Sequence, residues 1–63
     1  LNPRHATALD MAGSLAFEEG RYADCVRHWR DLLGLLPAGS QRHRELTLAV
    51  QRAEQRDRES PTR

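Results

Sequence analysis

Apolar residues recur through the middle of the chain at helical intervals. Tyr22, Cys25, Val26, Trp29, Leu32, Leu33 and Leu36 fall at i, i+3, i+4 and i+7, the spacing of one helix face. Arg21, Asp24, Arg27, Arg30 and Asp31 take the opposite face. This predicts an amphipathic helix over residues 22–36, bracketed by Gly20 and Pro37. Upstream, Ala8, Leu9, Met11, Ala12, Leu15, Ala16 and Phe17 predict a helix over residues 6–19, with Pro3 where a missing N–H is harmless. Gly13 inside it costs about 1 kcal/mol against Ala, which close approach of a second helix would explain. Pro37, Ala38 and Gly39 break the pattern, and Ser40 is a suitable N-cap. A third helix over residues 40–58 then carries the narrower stripe Leu46, Ala49, Val50 and Ala53. Beyond Ala53 no apolar residue follows, so residues 59–63 are expected to form a disordered tail.

Composition narrows the function more by exclusion than by assertion. With 63 residues the core is thin, because a chain this short buries only about 60% of its unfolded surface. Cys25 is the single cysteine, so no intrachain disulfide is available; His5, His28 and His43 are too scattered for a local metal motif. A net charge of +1 gives no field for nucleic acid or a membrane surface, although all ten basic residues are Arg. Acidic residues interleave with the arginines of the third helix, which reads as a solvated face. There is no CxxCH haem-attachment motif and no nucleophile placed beside a base, so neither a haem carrier nor an enzyme is expected, and no cofactor. Cys25 lies on the apolar stripe and reads as a core residue rather than a redox thiol. The chain opens on "LNP" without an initiator Met, and reads as a segment of something longer.

Pro3 and Pro37 stand 34 positions apart, the repeat length of the tetratricopeptide helix pair. Leu9, Ala12, Gly13 and Ala16, then Gly20 and Tyr22, then Cys25, Trp29 and Leu32 fall where that motif places its small and bulky packing residues. Leu9, Ala16, Cys25 and Leu32 depart from its consensus but remain apolar. The chain is therefore expected to be all-α: residues 1–5 ending a preceding repeat, residues 6–39 forming one unit, and residues 40–58 a capping helix.

A narrower resemblance rests on "TALDMAG" (7–13), "AFEEGRYADCVRHWRDLL" (16–33) and "LPAGS" (36–40), with Leu46, Val50 and Ala53 in the last helix. In these the chain resembles the C-terminal part of the tetratricopeptide domains of bacterial cytochrome c biogenesis factors, the CcmI/CycH and NrfG type. The resemblance implies a periplasmic chaperone module, tethered through a missing N-terminal membrane region. It would hold apocytochrome c by its C-terminal helix, or meet haem-lyase components, during haem attachment. A generic scaffold for another assembly, or an accessory segment of a multidomain enzyme, are the alternatives.

In tetratricopeptide arrays the first helix of each pair lines the concave surface. Helical spacing assigns Thr7, Asp10, Met11, Ser14, Phe17 and Glu18 to a peptide-binding groove, continued by Gln41, Arg44 and Leu48 on the third helix. Met11 and Phe17 would supply adaptable apolar contact, and Asp10, Glu18 and Arg44 would set the register of a bound amphipathic helix. Contact of these residues with a neighbouring repeat is the competing reading. Asp10 and Ser14 stand where carboxylate-gripping tetratricopeptide domains carry Lys and Asn, which argues against an EEVD-type ligand. The isolated segment is also expected to self-associate through Leu9, Leu15 and Phe17.

Overall fold

The computed structural model describes residues 3–59. Three helices follow in order, α1 (Pro3–Glu18), α2 (Tyr22–Leu33) and α3 (Gln41–Glu59). The expected all-α helix pair with a third, capping helix is what forms. α2 is central: it packs on α1 along one side and on α3 along the other.

The ends of the helices follow local chemistry. At the end of α1 the Gly20 N–H donates to Phe17 O at 3.1 Å and the Arg21 N–H to Ala16 O at 2.8 Å. That pair of bonds is a Schellman cap, and it needs the left-handed φ of +80° that Gly20 adopts. α3 opens on Ser40, whose Oγ accepts the His43 N–H at 3.1 Å, the N-cap expected of a serine there. The turn before it closes with the Ser40 N–H donating to Pro37 O at 3.1 Å. Gly39, at φ +85°, holds the third turn position, where a type II turn requires positive φ.

Two boundaries differ from the expectation. α1 starts at Pro3 rather than Ala6, so residues 3–5 form its first turn. Proline suits the first helical position, which has no intrahelical use for an N–H. α2 ends at Leu33 rather than Leu36. Past Gly34 the chain tightens: the Leu35 N–H donates to Leu32 O at 2.9 Å and the Leu36 N–H to Leu33 O at 3.2 Å. Pro37 then disfavours helical geometry at Leu36, and Gly34 supports a helix poorly, so the apolar period outlasts the helix. α3 runs one residue past its expected end, to Glu59; the rest of the expected tail, residues 60–63, lies outside the described residues.

The core is small and made largely of small side chains. Ala16, Cys25, Trp29, Leu32, Val50 and Ala53 are buried, flanked by half-buried Phe17, Val26, Leu33, Leu46 and Ala49. The large piece is the Trp29 indole, and Gly13 makes room for it. A Cβ on Gly13 would collide with indole Nε1 and Cδ1 and would stand 2.9 Å from Cε2. The glycine in mid-helix thus lets α1 lie directly on the tryptophan of α2. Phe17 completes the seam, with its ring 6.0 Å from Trp29 in a stacked arrangement and 5.2 Å from Tyr22 edge-on.

Candidate functional site

α1 and α3 do not pack on each other broadly; they meet at their edges, over α2. Asp10 of α1 pairs with Arg42 of α3 at 3.6 Å, and Arg56 of α3 lies over the Phe17 ring, 5.8 Å from its centre. Between the Asp10–Arg42 pair and the body of α2 is an open cleft of about 250 Å³. Trp29, Leu32, Leu46 and Ala49 form its apolar floor, and Asp10, Arg42 and Glu45 its charged rim. All three rim residues are at least partly open to solvent, and the Gln41 amide donates to Glu45 Oε2 at 3.0 Å. The Asp10–Arg42 pair, with both side chains about half exposed, is worth at most about 1 kcal/mol, so it orients the rim more than it holds the fold. The floor is more rigid, since Leu32 is fully buried and Trp29 is fixed by Gly13. Trp29 Nε1 is buried and has no hydrogen-bond acceptor among the described residues.

This arrangement divides the groove residues expected from helical spacing. Asp10 stands at the cleft. Phe17 is half-buried in the aromatic seam, so it serves packing rather than an open contact surface. Thr7, Met11, Ser14 and Glu18 are exposed on the outer face of α1, where Arg4, Thr7, Ala8 and Met11 line a separate shallow concavity. Arg44 and Leu48 lie with His43 and Thr47 along another shallow concavity on α3, and Arg44 donates to Gly39 O at 2.7 Å. The expected residues therefore do not meet in one groove. Those that do meet Asp10 are Arg42, Glu45, Leu46 and Ala49, which run along one flank of α3 at i, i+3, i+4 and i+7. Apart from Leu46 and Ala49 in the apolar stripe, they carry no signal in the sequence beyond that spacing.

The remaining chemistry is sparse. Cys25 is fully buried, and burial pushes its thiol from 9.0 up to about 11. It is held protonated within the core, unlike the exposed, electropositive thiols that react. Among the described residues no group of His, Cys, Asp and Glu is arranged to hold a metal ion, and no helix is long and apolar enough to cross a membrane.

Over 55 residues the chain is 36% identical to the cytochrome c-type biogenesis protein CycH of Pseudomonas aeruginosa. The match takes in 87% of this chain but 14% of that protein, so the chain spans about a seventh of the relative's length. It is similar to one segment of a biogenesis protein. No protein-family model matches the chain, and no solved structure matches it.

Proposed function

We propose that this chain is a tetratricopeptide-type binding module of cytochrome c maturation, acting by binding an amphipathic helix rather than by catalysis. The observation that carries the reading is the cleft over Trp29, considered with the similarity to CycH across most of the chain. An apolar floor of Trp29, Leu32, Leu46 and Ala49 takes one or two aliphatic side chains from a helix face. Asp10, Arg42 and Glu45 at the rim pair with the charges that flank such a stripe. The partner in this reading is apocytochrome c, through its C-terminal helix, presented for haem attachment in the bacterial periplasm.

The test is calorimetric titration of the chain with two peptides, the C-terminal helix of a c-type cytochrome and a scrambled peptide of equal composition. The reading expects the native peptide alone to bind. It also expects Ala49→Arg, which puts a long charged side chain across the cleft, to weaken binding at least tenfold without loss of helicity. Equal binding of both peptides, or binding indifferent to Ala49→Arg, would move the function to a general scaffold or the contact to another face.

A further inference from the structure

The face of α1 turned away from α2 and α3 carries the most exposed apolar residues of that helix. Met11 is 68% and Leu15 52% exposed, and Met11 shares a shallow concavity with Arg4, Thr7 and Ala8. The charges on this helix run against its own dipole. Arg4 and His5 stand in the first turn and Glu18 closes the last, with no acidic residue in the first turn and no basic residue in the last. A helix macrodipole favours the reverse placement. An antiparallel neighbour would resolve the conflict, because it brings a helix N-terminus beside Glu18 and a helix C-terminus beside Arg4.

We propose that this face is an interface with a second copy of the same chain, α1 against α1, antiparallel about a twofold axis at Met11. The sequence is self-complementary about that point. Positions mirrored through Met11 are Arg4 with Glu18, Thr7 with Leu15, and Ala8 with Ser14. In the pair, Met11 meets Met11, small Ala8 and Ser14 let the backbones approach, and Arg4 of each copy faces Glu18 of the other. A parallel arrangement would instead set Arg4 on Arg4 and Glu18 on Glu18. This contact differs from the expected association surface: Phe17 and Leu9 are half-buried, and Leu15 alone of those three is exposed. It uses a different surface from the cleft and does not depend on the proposed function.

Sedimentation velocity of the chain over a wide concentration range tests this. The expected result is a monomer–dimer equilibrium that Met11→Arg abolishes while the helical circular dichroism stays intact. Arg4→Glu and Glu18→Arg should each weaken the dimer roughly tenfold, because each creates two like-charge contacts across the axis. Either change suits the dipole of α1, so weakening cannot arise from a less stable helix. Combining the two should restore the dimer to near its original strength. A chain that stays monomeric throughout, a dimer indifferent to Met11→Arg, or a double variant no tighter than the single ones would overturn the proposal.

Discussion

Toward α1, the central helix is closed by an indole set against a glycine; toward α3, by Val50 and Ala53 with charged residues along the edges. In the first seam Trp29, Phe17 and Tyr22 form a continuous aromatic run, and there is no room at Gly13 for even one methyl group. In the second, the Arg30–Glu54 pair and the Asp10–Arg42 pair bound a contact that leaves a cleft of about 250 Å³. The difference separates two tasks. A tight seam fixes the hairpin and with it the position of Trp29, while a looser seam leaves a cleft beside that residue open to solvent, the space on which the proposed binding reading rests.

The comparison breaks most readily at Gly13. Gly13→Leu should cost about 3 kcal/mol, at the top of the range for overpacking, and a domain this small has little reserve against such a loss. Thermal unfolding followed by circular dichroism should show the cooperative transition lost or sharply lowered. Gly13→Ala sharpens the point through its sign. In an open helix this change stabilises by about 1 kcal/mol, whereas here the indole stands in the way and it should destabilise.

Next in size is a pH effect carried by Cys25. Its thiol keeps its proton up to about pH 11 in the folded chain, while an exposed thiol ionises near 9.0. Above the unfolded value the unfolded state therefore binds fewer protons than the folded one, and stability falls as pH rises. The loss should build between about pH 9 and 11 and approach roughly 2–3 kcal/mol. Urea unfolding at a series of pH values measures it, and Cys25→Ala should flatten the dependence.

The looser seam should respond more gently. Ala53 is fully buried between α3 and α2, so Ala53→Leu overpacks it, but α3 has a cleft beside it to shift into. A cost of about 1–2 kcal/mol by denaturant unfolding is expected, smaller than at Gly13. The smallest effect should be stabilising. Gly34 ends α2 at φ −65°, and a Cβ there would stand 3.4 Å from Asp31 O, an acceptable contact. Gly34→Ala should add about 0.4–1 kcal/mol.

The tight seam was legible in the sequence for the same reason that it is tight. A glycine in mid-helix, a Gly at a helix end and a Ser after a Pro–Ala–Gly break each have one ready physical explanation, and Gly13, Gly20 and Ser40 play those parts. The end of α2 was less legible, because Leu36 continues the apolar period past the point where Gly34 and Pro37 stop the helix. The cleft was the least legible. The stripe of Leu46, Val50 and Ala53 identifies the buried face of α3 but not which flank then turns to α1. That choice comes from the path of residues 34–40, and it selects Arg42, Glu45 and Ala49 over Arg44 and Leu48. Phe17 looked available on spacing alone, yet the aromatic seam and Arg56 claim it.

The claim that the looser seam of α2 receives a helix is tested most directly by nitrogen-resolved NMR titration of the chain with the C-terminal helix of a c-type cytochrome. The account predicts saturable shifts at the Trp29 indole N–H and at the Asp10, Glu45 and Ala49 amides, none of them produced by the scrambled peptide. Shifts confined to Met11 and Leu15, to Leu48, or shared equally by both peptides would contradict it.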